Sequence, residues 1–140
     1  MKNVFLTLCV AVLCLGVTNG FSATRYVNVL FTGVINDGNA CNTKRLQAVI
    51  DSCAEAGGGA LYFPEGKYLT GSLFLRDNIT LFLDAGAVIQ GISNLEDYYL
   101  PEQSYVSFRN DVAAVINAEC CKNIKLEGMG TFDGQGALFP

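Results

Sequence analysis

Short apolar runs separated by turn residues fill most of the chain after residue 59. Each run is about four residues long, and the turns between runs carry glycine, proline, asparagine or aspartate, without an intervening helical pattern. Strands this short and this frequent are typical of a solenoid, in which every coil contributes several small strands. The predicted strands are residues 60–63, 68–69, 73–75, 79–83 and 87–90.

Residues 43–56, ahead of these strands, have the periodicity of a helix. Apolar side chains recur at spacings of three and four from Leu46 to Cys53, which places them on one helical face. Asn42 or Thr43 is a suitable N-cap, and three consecutive glycines end the helix. The first coil of a solenoid exposes apolar side chains and unpaired strand edges. We therefore interpret this amphipathic helix as the cap that covers them.

The pattern also predicts a strand over residues 25–31 and a long loop over residues 93–111. The first segment alternates its side chains as a strand does. The second is polar and aromatic, and two interpretations stay open for it. Its aromatic side chains either pack the loop onto the coil or stack against sugar rings. They are Tyr98, Tyr99, Tyr105 and Phe108.

Two four-residue motifs indicate an internal repeat. Asn-Ile-Thr-Leu at 78–81 and Asn-Ile-Lys-Leu at 123–126 lie 45 residues apart. Solenoid periods run from about 20 to about 50 residues. We therefore predict that the two motifs are separated by two coils of roughly 22 residues each.

The first residues have the order of a secretion signal. A short positive start precedes an apolar stretch from Val4 to Val17, and small residues follow it. The apolar stretch is shorter than the roughly 20 residues of a membrane-spanning helix, which favours cleavage over an uncleaved anchor. We predict that residues 1–23 are the signal peptide, and that the mature protein is secreted and extracellular with no membrane association.

Four cysteines lie beyond the predicted signal, and secretion exposes them to an oxidising environment. Four cysteines allow three disulfide pairings, and the adjacent Cys120 and Cys121 have different partners if they lie on a strand. Cys53 is equally compatible with a buried free thiol on the apolar helix face. Without histidine or a Cys-x-x-Cys motif, the sequence predicts no metal site and no cofactor. The possible disulfide cysteines are Cys41, Cys53, Cys120 and Cys121.

The net charge is −4, from 9 basic and 13 acidic side chains. An acidic chain is a poor partner for nucleic acid. The same charge does not by itself favour an acidic polysaccharide, because like charges repel unless basic side chains gather locally. No cluster of basic residues stands out along the sequence.

Two polar residues in turns have candidate roles. Asp133, in a glycine-rich turn, is predicted to accept backbone hydrogen bonds rather than to act in catalysis. Asn78 begins an Asn-Ile-Thr motif, the one N-glycosylation sequon beyond the predicted signal. Its side chain either carries a glycan or holds a turn of the coil.

Several segments together resemble glycoside hydrolase family 28, the polygalacturonases or pectinases. Residues 33–43 are similar to the family's opening Gly-Asp-Gly turn and its helix start. Gly-Thr-Phe-Asp-Gly-Gln-Gly at 130–136 is similar to the family's Gly-Thr-Ile-Asp-Gly-Gln-Gly. The other matching segments, all in the family's order, are 57–71, 78–81 and 86–89.

The resemblance implies an all-β fold, a right-handed parallel β-helix of the pectin-lyase-like solenoid type, with its N-terminal coils in residues 24–140. It also implies inverting hydrolysis of α-1,4-linked galacturonic acid in pectin, in which one carboxylic acid protonates the leaving oxygen and a second carboxylate activates water. The family's Asn-Thr-Asp, Asp-Asp, Gly-His-Gly and Arg-Ile-Lys motifs are absent from this sequence. We therefore assign no catalytic residue to this chain. We expect it to be the inactive N-terminal portion of a monomeric enzyme whose paired aspartates follow Pro140.

Two other functions stay open. A pectate or pectin lyase uses the same type of coil but needs a calcium site of clustered acids, and the sequence has no such cluster. The second alternative is a non-catalytic β-helix that binds polysaccharide. This alternative is favoured if Pro140 is the true end of the protein.

Overall fold

The computed structural model describes residues 24–98 and 114–138 of the chain. The predicted signal peptide and most of the predicted loop lie outside these residues. Among the residues described, no helix is long and apolar enough to cross a membrane. The helix α1 is Thr43–Glu55, and the strands are β1 (Tyr26–Asn28), β2 (Gly59–Phe63), β3 (Gly66–Thr70), β4 (Leu73–Phe74), β5 (Ile79–Leu83), β6 (Ala87–Gly91), β7 (Ile116–Asn117), β8 (Lys125–Gly128) and β9 (Thr131–Asp133).

The strands form three sheets, and the pairings between them are parallel. Sheet A has the order β1-β2-β5-β8, sheet B has β3-β6-β9, and sheet C has β4-β7. The chain visits sheets A, B and C in turn and then returns to A one strand further on. Parallel neighbours in one sheet are therefore joined through the other two sheets, without a crossover helix. This arrangement confirms the predicted solenoid.

The core is a stack of side chains that point into the coil. In sheet A, Leu61 pairs in register with Leu81, and both side chains are fully buried. In sheet B, the buried ring of Tyr68 meets Phe63 edge-on, with the ring centroids 5.2 Å apart. The Tyr68 hydroxyl donates to the Pro64 carbonyl oxygen at 2.7 Å, so this buried polar group has a partner within the core.

Helix α1 covers the first coil, as predicted. Leu46, Ile50 and Cys53 on its apolar face are buried. Asn42 is the N-cap residue, but its side chain makes no capping hydrogen bond. The buried amide instead accepts from the Ile35 N–H at 2.9 Å and donates to the Ile35 carbonyl oxygen at 2.7 Å. Asn42 is thus the N-cap residue by position, as predicted, while its amide fastens the preceding loop to the start of the helix.

The cap also meets the first edge of sheet C with polar side chains. Gln47 of α1 accepts from the Phe74 N–H at 2.8 Å and donates to the Phe74 carbonyl oxygen at 3.0 Å. The Thr43 hydroxyl accepts from the Gly71 N–H at 2.7 Å. These side chains take the place of a neighbouring strand at an edge that would otherwise recruit other chains.

Strand β1 is shorter than the predicted strand over residues 25–31. The Asn28 side chain accepts from the Leu30 N–H at 3.0 Å, and a 3-10 turn follows over Val29–Thr32. Such a local bond competes with strand pairing. The apolar alternation therefore predicts a strand that continues where the chain in fact turns.

The two Asn-Ile-x-Leu motifs lie one coil apart, so the prediction of two coils between them is wrong. Thr80 pairs directly with Lys125, 45 residues later, whereas Ala60 pairs with Thr80 across 20 residues. The longer step contains residues 92–115, between β6 and β7. An insertion lengthens this coil and leaves the register unchanged, so the spacing alone suggests the wrong number of coils.

Candidate functional site

Sheet B presents outward side chains that we call the sheet-B row, and this is the candidate active face. Alternate residues of β3 and β6 are buried, and those between them point outward. The register aligns the outward positions in two columns across the three strands. One column is Lys67, Val88 and Thr131, and the other is Leu69, Gln90 and Asp133.

A long connection between two strands starts beside this face. Residues 92–115 leave from the end of β6 and return at β7. Insertions at the edge of a rigid scaffold commonly carry binding residues. The insertion therefore borders both sheet B and sheet C, and its described ends bond to Ser72 and Leu73.

Tyr98 is the residue among the four predicted loop aromatics that the structure describes. It is 7% exposed, and a Cβ added to Gly91 would lie 2.5 Å from its hydroxyl oxygen. Burial also raises the pKa of Tyr98. This side chain packs onto the coil, in agreement with the packing interpretation. Sugar stacking by Tyr99, Tyr105 and Phe108, which lie outside the described residues, stays a prediction.

Lys67 is the cation of the sheet-B row, and the turn before α1 sets its position. Its N–H donates to the Asn36 carbonyl oxygen at 3.0 Å, and its carbonyl oxygen accepts from the Gly38 N–H at 2.9 Å. Gly38 has a φ of +74°, and a Cβ there would lie 3.2 Å from the Lys67 Cβ, so glycine leaves room for the lysine stem. Within the described part of the chain, no carboxylate oxygen lies within 4.0 Å of the Lys67 ammonium.

Asp133 is the one carboxylate of the sheet-B row. Its Oδ1 accepts from the Gln135 N–H at 2.9 Å, which confirms the predicted turn role. Inverting hydrolysis needs two carboxyl groups on either side of the scissile bond. The row alone therefore does not build that pair. In residues 24–98 and 114–138, no three His, Cys, Asp or Glu side chains are grouped to hold a metal ion.

Asn78 holds a turn of the coil, which is one of its two predicted roles. Its Oδ1 accepts from Asn123 Nδ2 at 3.0 Å, one coil further on. The two asparagines have φ of +62° and +57°, in the left-handed region that asparagine tolerates better than most residues. Gly58 stands in the same column on the preceding coil, where a Cβ would lie 2.5 Å from the Asn78 Cβ. Glycosylation of Asn78 stays a prediction.

The four candidate disulfide cysteines are free thiols in this structure, and their pairing stays a prediction. Cys53 is buried under the cap, and burial raises its pKa. Cys120 and Cys121 lie in the turn between β7 and β8 rather than on a strand, with Cys120 at a φ of +52°. The Cys121 thiol donates to the Leu75 carbonyl oxygen at 3.1 Å. Cys41 is exposed just before α1.

Asp84 and Tyr62 form a hydrogen-bonded pair at the turn from sheet A to sheet B. The Tyr62 hydroxyl donates to Asp84 Oδ2 at 2.6 Å. This bond, helped by the Ala85 N–H, lowers the pKa of Asp84, and the same bond raises the pKa of Tyr62. A carboxylate held in its charged form by two donors is suited to fixing the turn rather than to releasing and taking up a proton.

Stacked parallel strands, an amphipathic cap helix and an insertion beside one outer sheet define the class of pectate lyase-like β-helix proteins. A family model described as rhamnogalacturonase A/epimerase, pectate lyase-like, matches residues 26–131. The chain belongs to this family. The match includes the cap, the strands β2 to β8 and the start of β9.

Two curated relatives are galacturonan-degrading enzymes by name. An exo-poly-α-D-galacturonosidase of Dickeya chrysanthemi is 33% identical over 131 residues, which cover 85% of this chain and 21% of the relative. A probable polygalacturonase of Vitis vinifera is 33% identical over 117 residues, which cover 76% of this chain and 24% of the relative. The chain thus spans about a fifth to a quarter of the length of these relatives.

The fold is shared with solved polygalacturonases. A family 28 exopolygalacturonase of Yersinia enterocolitica matches with a TM-score of 0.69 at 35% identity, over 79% of this chain and 21% of that one. Such neighbours are right-handed parallel β-helices. The predicted handedness and the predicted resemblance to glycoside hydrolase family 28 are both confirmed.

Proposed function

We propose that the complete protein is a secreted polygalacturonase-like glycoside hydrolase that cleaves α-1,4-galacturonosyl links in pectin with inversion. The observation that carries the proposal is the family match over residues 26–131, joined to relatives named as a galacturonosidase and a polygalacturonase. In this proposal the chain supplies the cap and the N-terminal coils. The paired aspartates come from coils after Pro140.

The sheet-B row has a binding role in this proposal. A polymeric substrate extends over several coils. An ammonium group without a carboxylate partner, such as that of Lys67, can pair with a carboxylate of the sugar chain. The Gln90 amide offers donors and an acceptor to hydroxyl groups. The exposed position of Lys67, without a carboxylate partner among the described residues, supports this role.

The coding sequence after Pro140 gives the first test. Asn-Thr-Asp, Asp-Asp and Gly-His-Gly motifs in that order support the proposal. A stop codon directly after Pro140 contradicts it and favours the non-catalytic polysaccharide-binding alternative.

The complete protein then gives the chemical test. Incubation with polygalacturonate is expected to release reducing ends, and NMR of the first products is expected to show the inverted anomer. An unsaturated, ultraviolet-absorbing product would instead assign the pectate or pectin lyase reaction. Absence of any cleavage would overturn the enzymatic proposal.

We also propose that residues 1–23 direct export and are then removed, and that the complete protein acts as a monomer. The acidic net charge of the chain is compatible with a soluble, unassociated secreted protein. Sequencing the N-terminus of protein recovered from the medium is expected to find a start after Gly20, Ser22 or Ala23. A start at Met1, or a dimer mass by light scattering, would contradict these statements.

A further inference from the structure

A second polar surface lies on sheet A, where its strands begin, and we call it the sheet-A groove. It has a volume of about 390 Å³, which is within the range of ligand sites in proteins. Glycines form part of its floor, and charged, aromatic and amide side chains line its rim. The residues that the argument uses are Arg25, Tyr26, Gly58, Asn78, Lys125 and Glu127.

Backbone segments approach each other closely at the glycine-lined part of the groove. Gly58 and Gly59 have φ of +100° and +158°, which disfavour other residues. A Cβ on Gly59 would lie 2.5 Å from the Arg25 carbonyl oxygen. Between Tyr26 and Lys125 the groove is lined by the small residues Ala60 and Thr80.

Strand register sets the length of the groove. Tyr26, Ala60, Thr80 and Lys125 occupy one column, in which each pairs with the next, and Ala60 is buried between its neighbours. Because parallel strands lie about 4.8 Å apart, Tyr26 and Lys125 stand roughly 14 Å apart. Tyr26 is 66% exposed, so its ring is available at one end of the groove.

The groove gathers positive charge on an acidic chain. Arg25 and Lys125 are both exposed. Across residues 24–98 and 114–138, the only ion pair joins Arg76 to Asp51, so neither groove cation has a carboxylate within 4.0 Å there. Glu127 is the acidic residue of the lining, which leaves the groove with a net positive charge.

The asparagine column adds neutral donors to the same surface. Asn123 Nδ2 donates to Asn78 Oδ1 at 3.0 Å, and both side chains line the groove. The Asn78 Nδ2 group donates to none of the residues described. Its N–H groups are therefore available to an acceptor in the groove.

We propose that the sheet-A groove binds an anionic oligosaccharide, a short chain of uronic acid units. Arg25 and Lys125 pair with carboxylates, the Tyr26 ring stacks on the apolar face of a sugar, and the asparagine amides bind hydroxyl groups. A uronate chain offers these three chemistries together along its length. The proposal does not rest on hydrolysis, because the groove lies on a different sheet from the sheet-B row and uses no catalytic group.

The test uses the complete protein, produced in a bacterium that lacks N-glycosylation, and a sulfur-linked tetragalacturonate that a hydrolase does not cleave. Hydrogen exchange measured by mass spectrometry is expected to show protection of segments 24–27, 57–60 and 123–127 when the probe binds. Protection there, read on the unmodified protein, supports the proposal without any variant. Protection confined to sheet B would overturn it.

Variants then separate the two faces. The double variant Arg25→Ala/Lys125→Ala is expected to lose groove protection and to weaken binding at that site at least tenfold. The matched control Lys44→Ala/Lys122→Ala removes two exposed cations outside the groove and is expected to leave it unchanged. Lys67→Ala alters the sheet-B row only, so its effect reports on the proposed function and not on the groove.

Binding of other ligands tests whether the groove recognises both the charge and the sugar. The neutral sulfur-linked tetragalactoside is expected to bind the groove at least tenfold more weakly, and added salt is expected to weaken tetragalacturonate binding. Equal binding of polyglutamate would show that charge alone is recognised and would overturn the sugar assignment. A glycan found on Asn78 in the naturally secreted protein would also overturn it, because that glycan would fill the groove.

Discussion

At the residue scale, the turn that leads into sheet A has left-handed backbone on the coils that carry β2, β5 and β8. Gly58, Asn78 and Asn123 occupy this position on successive coils, each with positive φ. Glycine adopts this conformation without strain, and asparagine adopts it with a side chain that can also bond to its neighbour. The hydrogen bond from Asn123 to Asn78 adds a link between coils that glycine does not supply.

Replacing Asn123 separates these two contributions. Asn123→Ala loses the hydrogen bond and introduces left-handed strain, so we expect the free energy of unfolding to fall by about 1–2 kcal/mol. Asn123→Gly loses the bond but keeps a compatible backbone, so its cost should be smaller. Urea denaturation of the complete protein measures both, and equal stability of the alanine and glycine variants would contradict the role of backbone strain.

Tyr68 makes alkaline stability depend on one buried proton. Burial raises the pKa of Tyr68 to about 12, whereas an unfolded tyrosine titrates near 10. The folded chain thus holds this proton more tightly. The stabilisation is complete below a pH of about 10 and is lost as the pH rises towards about 12. We expect the Tm of the Tyr68→Phe variant to fall less over this pH range than the Tm of the unmodified protein. Tyr26→Phe, at an exposed site, is the control and should behave as the unmodified protein does.

The sequence predicts those roles that depend only on neighbouring residues in the chain. The glycine-rich surroundings of Asp133 are enough to predict its hydrogen bond to a backbone N–H. For Asn78, holding a turn of the coil is one of the two roles that the sequence predicts. The sequence does not predict that Arg25 and Lys125 lie on the same surface. A parallel register across three strand pairs brings together these residues, which are distant in sequence. No local signal could have shown that cluster.

At the element scale, helix α1 acts as a substitute for a strand. Its apolar face covers the core, while Gln47 offers an amide that pairs with both backbone groups of Phe74. The side chain of Gln47 also donates to Asp51 at 3.0 Å, and Asp51 pairs with Arg76 at 2.8 Å. The cap is therefore joined to sheet C by a polar network as well as by burial.

Removing the Gln47 amide tests this function of the helix. Gln47→Met keeps the length and helix propensity of the side chain but loses the bonds to Phe74. We expect it to destabilise the protein by about 1–3 kcal/mol. Lys44→Met, at an exposed site on the same helix, is the matched control. A Gln47→Met variant that unfolds at the same denaturant concentration as the control would refute the edge-pairing role.

The sequence predicts which helices and strands exist better than it predicts where they end and which strands pair. Apolar runs predict β2 to β6 closely, since each of these strands buries apolar side chains in one core. The strand predicted from residue 25 fails after Asn28, because a side-chain hydrogen bond turns the backbone there. The coil count fails because an insertion and an additional coil produce the same spacing.

At the scale of the whole molecule, the last described coil differs from those before it. Leu126 follows the buried Leu61 and Leu81 in register, yet it is 53% exposed. Phe132 follows the buried Ile89 and is 42% exposed. These side chains have the orientation of core residues without a following layer in residues 114–138. Apolar surface beside the edges of β8 and β9 favours association.

We therefore expect isolated residues 24–140 to be poorly soluble and to self-associate. Light scattering should report a mass that grows with concentration, and Leu126→Lys/Phe132→Lys should reduce it. Exposed Lys125→Glu, which leaves the apolar layer intact, should not abolish association. A monodisperse sample of residues 24–140 that melts cooperatively would contradict this expectation.

The placement of residues 92–115 between two strands of fixed register has a consequence for chain entropy. The closed segment grows from 20 residues in the coil from Ala60 to Thr80 to 45 in the coil from Thr80 to Lys125. Closure entropy rises only logarithmically with length, so little more than one doubling costs about 0.6 kcal/mol. Length at this position can therefore vary widely under selection for a ligand, while the paired strands on either side keep the same partners.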